Sequence, residues 1–291
     1  MAATTQKLLT LPAKTAFMRR KFHAWWEGYA FDDAAERAAV AAQFPGALGP
    51  ASQSATEMIA QSIWGEGRFE PGSPAWTMRF ARTLSLPLKA KVVIFGAGGG
   101  AVLEDLRHAT RWKVNGLTRH ESAARGKLES YSDATRKLPK AYAAGALSFF
   151  EMHRDRDPAN FAVVAGGFLL PGARASFVDF TVPRRLARLR TCFPSGDHGA
   201  PRQAKEFEAI LSAGGLRVTE TVDETSAYLP LITKGWAGWR GAYEAINTVE
   251  HPRMRSEFVS SLGCEAHLWA ERLDALKSGR LQVTRFQVVK T

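Results

Sequence analysis

The segment richest in chemical potential is Val92 to Asp105, VVIFGAGGGAVLED, where an apolar run meets a glycine turn and then a helical pattern. A buried strand, then Gly96, Gly98 and Gly100, then a helix sets backbone N–H groups at a helix N-terminus. They stand beside the crevice at the carboxyl end of a sheet, where nucleotide-like ligands bind. Glycine is needed there because a Cβ would block both close ligand approach and the positive φ values of the turn. The spacing Gly96-x-Gly98-x-x-Ala101 admits more than one chemistry. A dinucleotide enzyme wants an acid for the ribose about 20 residues on, or an arginine for a 2′-phosphate. Leu117, Thr118, Arg119 and His120 occupy that region. Arg119 therefore keeps an NADP-dependent reading open, beside that of a solvent-exposed arginine at a strand end. A plain βα turn with nothing bound is a further reading.

Other chemical signals are sparse. Asp197 and His198 adjoin in PSGDHGAP without the spacing of a triad or a metal site. No HExxH, GxSxG or phosphate-loop motif occurs. Cys192 and Cys264 are too few and too far apart for a disulfide framework or a cysteine zinc site, so no metal is expected.

The elements that must position the glycine turn alternate between strand and helix, which predicts an α/β domain. Ala90 to Phe95 reads as a buried strand, Val102 to Ala109 as a helix and Lys113 to Leu117 as the next strand. Lys127 to Tyr131 and Tyr142 to Phe149 are weaker strand candidates, followed by a helix from about Pro158 to Val164. GGFLLPGA reads as a turn into the strand Ser176 to Val182. A helix over Gln203 to Ala213, a strand over Leu216 to Val222 and a final strand over Leu281 to Val289 complete the pattern. Between the last two strands lies a helical insertion over 226–279, whose Trp236, Trp239 and Trp269 predict a cap over the sheet's open edge. Upstream, helices are expected over Ala55 to Ile63, before the loop WGEGRFEPGSP, and over Trp76 to Leu84. Met18, Phe22, Trp25 and Tyr29 line one face of a basic amphipathic helix that starts near Thr15. The division expected is a helical N-terminal extension and cap over 1–84 and an α/β domain over 85–291.

Composition bounds the function classes. Of 291 residues, 45% are hydrophobic and 23% charged, an ordinary globular balance. No apolar run of about 18 residues is present to span a membrane. The N-terminus lacks a secretory pattern, so a cytoplasmic location is expected. The net charge of +11 raises anionic partners. It concentrates in Lys7, Lys14, Arg19, Arg20 and Lys21, and again in Arg184, Arg185, Arg188, Arg190 and Arg202. A solvated charged face is the plainest account of either cluster.

The order of elements, the strand SFVDFTV, the segment KEFEAILSAGGLRV and the closing strand RLQVTRFQVV resemble the class I S-adenosylmethionine-dependent methyltransferases. The loop IAQSIWGEGRFEPGSP resembles that of the small-molecule, phosphoethanolamine and cyclopropane-synthase-like type. The resemblance runs from about Glu57 to the C-terminus. It implies a Rossmann-like sheet, mostly parallel with an antiparallel last strand, in which Gly96, Gly98 and Gly100 grip the cofactor. It also implies substrate-side roles for Trp64, Glu66 and His153. The family's two cofactor acids are replaced: Ile94 stands before the glycine turn and Thr118 ends the second strand. The resemblance implies that Asp133 is the acid that meets the adenine amine, beside the reading of an exposed turn aspartate.

A cationic sulfonium cofactor with a vicinal diol loses charge-assisted hydrogen bonds at both replaced positions. Binding of S-adenosylmethionine is accordingly expected to be weak or absent. The leading expectation is a non-catalytic partner of a paralogous methyltransferase chain, or a homo-oligomer, assembled through the N-terminal helix. An active methyltransferase on a small molecule or lipid headgroup is the alternative, with the NADP-dependent enzyme third. An anionic membrane surface is a further candidate partner, and nucleic acid is disfavoured.

Overall fold

The computed structural model describes residues 54–119, 128–130, 139–155, 157–184, 192–193 and 200–291, and Ala55–Thr291 forms one compact unit. The basic helix expected from Thr15, Asp133 and the Asp197–His198 pair lie outside the described residues.

Among the described residues, seven strands form one sheet: β1 (Lys91–Phe95), β2 (Lys113–Thr118), β3 (Leu128–Ser130), β4 (Ala143–Phe149), β5 (Leu169–Thr181), β6 (Leu216–Asp223) and β7 (Gln282–Lys290). Their order is β3-β2-β1-β4-β5-β7-β6. Strand β7 runs antiparallel to both of its neighbours, while the pairs among β1 to β5 are parallel. The α-helices of the described residues are α1 (Ala55–Trp64), α2 (Pro74–Ala81), α3 (Ala101–Ala109), α4 (Pro158–Phe168), α5 (Ala204–Ala213), α6 (Thr225–Trp236), α7 (Trp239–Asn247) and α8 (Pro252–Lys277).

The apolar run in β1 explains the layering. Val92 and Ile94 enter one core, whereas Val93 and Phe95 enter the other, because successive side chains leave a strand on opposite faces. A strand covered on both faces must be apolar throughout. Phe161, Ala165, Phe207 and Leu211 of α4 and α5 cover the second core. Ile59, Phe80, Leu103 and Trp269 bring α1, α2, α3 and α8 onto the first. Each fully buried phenylalanine contributes roughly 1.5–3 kcal/mol. Thus α1 and α2, assigned by sequence to an N-terminal extension, pack within the same unit as the sheet. Local chemistry starts two of the helices: Ser73 Oγ accepts from Trp76 N at 3.1 Å before Pro74, and Asp157 Oδ1 accepts from Ala159 N at 3.1 Å before Pro158.

Two expectations are corrected. GGFLLPGA is not a turn: its first residues end α4 and LLPGA already belongs to β5. Leu169 pairs with Ala143 and Arg174 with Gly145, so extra residues of β5, Pro171 and Gly172 among them, bow out as a bulge. The insertion, too, does not cover the sheet's open edge. That edge, β6, exposes Arg217, Glu220 and Thr221. Helices α6 to α8 instead cross the carboxyl ends of β4 and β5, where Tyr228 meets Phe150 at 5.1 Å and Trp269 meets Phe180 at 6.5 Å between ring centroids. The physical reason is that those ends present aromatic rings, whereas the β6 edge is polar and compatible with water.

Candidate functional site

Gly96 adopts φ +74°, and a Cβ there would lie 2.2 Å from the Phe149 carbonyl oxygen, so only glycine fits. Gly100, at φ +109°, is the N-cap of α3. The amides of Gly96, Ala97, Gly99 and Gly100 are occupied by the chain itself. Gly96 N and Ala97 N donate to Leu117 O at 3.1 and 3.0 Å, and Gly100 N donates to Ala97 O at 2.9 Å. The loop after α1 supplies the remaining acceptor, because Gly67 O receives Gly99 N at 2.9 Å and Ala101 N at 3.3 Å. Two anchors fix that loop. Gly67 N donates to Gln61 Oε1 at 2.9 Å, and Arg68 pairs at 2.5 Å with Asp105, which also accepts from Thr77 Oγ1 at 2.7 Å. A backbone carbonyl thus caps donors that a ligand's anionic group would otherwise use.

Between turn and loop remains a cavity of about 50 Å³, lined among others by Gly96, Gly98, Thr118, Glu70, Glu151 and Arg154. Small-molecule sites usually span roughly 300–1,000 Å³. Ile94 is fully buried in the core and Thr118 fully buried at the end of β2. Carboxylates do stand near this crevice, but they hold arginines. Arg119 Nε donates to Glu151 Oε2 at 2.5 Å and its Nη2 to Asp155 Oδ2 at 3.3 Å, while Arg154 pairs with Glu70.

A larger cavity, about 450 Å³, lies under the helical cap, with His153, Arg154, Phe193, Glu265, Trp269 and Arg272 on its wall. His153 is not on the surface; it is 2% exposed. Its Nδ1–H donates to Asp179 Oδ1 at 2.5 Å. Asp179 also accepts from Met152 N at 2.6 Å, His153 N at 3.2 Å and Phe180 N at 2.7 Å. The Arg272 guanidinium lies 4.6 Å from the Trp269 ring, 4.9 Å from Phe193 and 5.3 Å from Phe180. Burial lowers its pKa, against the opposing pull of Glu70.

Glu265 Oε1 accepts from both Trp64 Nε1 and Trp269 Nε1, each at 2.9 Å. Burial raises the Glu265 pKa above its ordinary 4.5, against the lowering effect of the two indole bonds and Arg272. A carboxyl whose folded pKa is raised binds more protons in the native state. Its contribution to stability therefore falls as pH rises from the ordinary value through the raised one, then stays level. Glu265→Gln keeps an oxygen for both indoles and removes this titration. The expected result is that wild type loses stability relative to the variant between pH 4 and pH 8. Urea unfolding of both proteins at those two pH values checks it, and an unchanged difference would exclude the effect.

The sequence candidates are dispersed. Gly96, Gly98 and Thr118 line the small cavity, while Gly100 and the exposed Glu66 face an outer cleft on the far side of the loop. Trp64 is buried against Glu265 and Trp269, and His153 reaches the cap cavity. Sequence reasoning missed Glu151, Asp179, Glu265 and Arg272. A signal existed for two of them: Asp179 interrupts the apolar strand SFVDFTV, and Arg272 falls on the helical stripe that includes Trp269 and Leu276.

No protein-family profile and no curated protein matches the sequence. Solved structures do match. Phosphoethanolamine N-methyltransferase 2 of Haemonchus contortus, in complex with phosphomonomethylethanolamine and S-adenosylhomocysteine, aligns with TM-score 0.65 at 14% identity. That alignment covers 80% of this chain and 57% of the other, so the chain spans little more than half of that protein. A cyclopropane synthase from Mycobacterium tuberculosis aligns with TM-score 0.60 at 14% identity over 77% of this chain and 86% of its own. Geranyl diphosphate C-methyltransferase from Streptomyces coelicolor aligns with TM-score 0.54 at 12% identity, over 75% of this chain and 76% of its own. At such identities the likeness concerns the fold.

Proposed function

We propose that this chain, which has the class I S-adenosylmethionine-dependent methyltransferase fold, is a non-catalytic methyltransferase-like protein that works as a subunit or partner of a methyltransferase-fold chain. The observation that carries this reading is the Gly67 carbonyl seated on the amides of Gly99 and Ala101, with a cavity of only about 50 Å³ on the Gly96–Gly98 side of the turn. S-adenosylmethionine does not fit the residues present. Its sulfonium and ammonium groups and its ribose diol favour carboxylates, and Ile94 and Thr118 provide none. Each missing charge-assisted bond forgoes roughly 1.5–3 kcal/mol, or about one to two powers of ten in affinity. Lifting the loop off the turn amides also requires breaking the Arg68–Asp105 pair and the Gln61 bond that anchor it. The NADP-dependent alternative is weakened by Arg119, which already faces Glu151 and Asp155; a 2′-phosphate would meet two like charges there.

A fold kept without its ligand's contacts calls for another role, and association is the simplest. The basic, aromatic segment Thr15 to Tyr29 is the proposed contact. Calorimetric titration with S-adenosylmethionine, S-adenosylhomocysteine and NADPH is expected to give no binding up to about 1 mM, and no thermal stabilisation by mass action. A micromolar dissociation constant for S-adenosylmethionine with methyl transfer would reject the proposal in favour of the active enzyme. Co-purification from the host is expected to yield a methyltransferase-fold chain or a self-assembled species, lost on deleting residues 1–30. A monomer alone would count against the partner role.

A further inference from the structure

We infer that the cavity under the helical cap is a binding site for a monocarboxylate with an apolar body, and that Arg272 is the residue recognising its carboxylate. The inference goes beyond the proposed function, since this cavity is lined by the cap and a ligand there need not touch the closed glycine turn.

The argument begins with charge. Among the described residues, three arginines line the cavity. Arg119 is paired with Glu151 and Asp155, and Arg154 with Glu70. Arg272 is 6% exposed and forms no ion pair among the described residues; Nε donates to the Cys192 carbonyl at 3.0 Å. Its two Nη groups are left for the cavity. Glu70 and Glu265 favour its charge from a distance without meeting the fork in an ion pair, and that planar fork matches the two oxygens of a carboxylate. The rings of Trp269, Phe193 and Phe180 hold that fork in place. His153, tied at Nδ1 to Asp179, stands on the same wall and shares Phe180 and Phe193 as ring neighbours, at 5.3 and 5.2 Å.

The ligand's class follows from the rest of the lining. One guanidinium fork, bonded only through Nε among the described residues, matches one carboxylate group. Glu57, Glu70 and Glu265 also border the cavity and would repel a dianion such as a phosphate monoester. Phe69, Ala60 and Leu268 supply apolar wall for a hydrocarbon body. The volume of about 450 Å³ falls in the usual small-molecule range.

The test is calorimetry on the full-length protein with octanoate, and with octyl phosphate, octanol and octylamine as comparison arms. Octanoate is expected to bind about ten- to hundredfold tighter than octanol, the range of one charge-assisted contact, and octylamine not at all. Arg272→Gln is expected to remove that advantage. Because a buried arginine can matter for folding, Leu268→Trp provides a second variant. It fills the cavity without removing a hydrogen bond and is expected to abolish octanoate binding. Equal affinity for octanoate and octanol, tighter binding of octyl phosphate, or octanoate binding unaffected by Leu268→Trp would each overturn the inference. None of these outcomes depends on S-adenosylmethionine, so the two readings stand or fall separately.

Discussion

Asp179→Ala is expected to destabilise the protein by about 3–5 kcal/mol, a large part of the roughly 5–15 kcal/mol available to a typical fold. The carboxylate is fully buried and accepts four hydrogen bonds, from Met152 N, His153 N, Phe180 N and His153 Nδ1. Removing it leaves three backbone donors and one ring donor without an acceptor in a site that water does not reach. Unsatisfied buried groups cost more than the bonds themselves contribute. Asp179→Asn retains one oxygen acceptor but places an amide NH₂ against donors, so it is expected to fall between alanine and wild type. Urea unfolding of all three proteins measures this. A loss below about 1 kcal/mol for alanine would mean that the turn after β4 does not depend on this anchor. The same substitution should free the His153 ring, which is visible as a change in its NMR chemical shifts and line widths.

Trp269→Ala is the second large effect, also expected near 3–5 kcal/mol. Trp269 is 1% exposed and binds the cap to the sheet through several contacts at once. Its ring lies 5.1 Å from Trp64, 6.5 Å from Tyr228 and 4.6 Å from the Arg272 guanidinium, and its Nε1 donates to Glu265. Truncation leaves a cavity, removes a donor from a buried carboxylate and takes away one face of the arginine cage. Trp239, by contrast, is 44% exposed, and Trp239→Ala is expected to stay within about ±0.5 kcal/mol. Chemical denaturation compares the two. Hydrogen exchange should rise across α6 to α8 in Trp269→Ala and remain low in α4 and α5, which pack on the opposite face. Equal losses for the two tryptophans would refute the role given to the cap.

The two losses share an origin that bears on what a sequence can reveal. Asp179 was legible only as an oddity, a charge in an apolar strand, and its partners were not. His153 was picked out through a resemblance, and the acid that orients it lies 26 residues away. Trp64 was assigned to a substrate, yet its indole bonds Glu265, 201 residues on. Arg119 was weighed as a phosphate ligand or a solvent-exposed strand end, yet it is held by Glu151 and Asp155.

The sequence by itself determined the strands and helices around the glycine turn, and hence the α/β layering, because periodicity reports which face of each element avoids water. Val92 to Phe95 can only lie in a doubly covered strand, and Gly96 and Gly100 can only be glycines where φ is positive. The tertiary structure decided three other things: that the Gly67 carbonyl closes the turn, that the insertion covers the carboxyl ends of β4 and β5, and that Arg272 reaches a cavity with no ion pair among the described residues. Hydrophobic patterning fixes only that a face is buried. Which polar group then meets which depends on how elements distant in sequence settle against one another, and a buried donor or charge takes whatever acceptor that packing brings within about 3 Å.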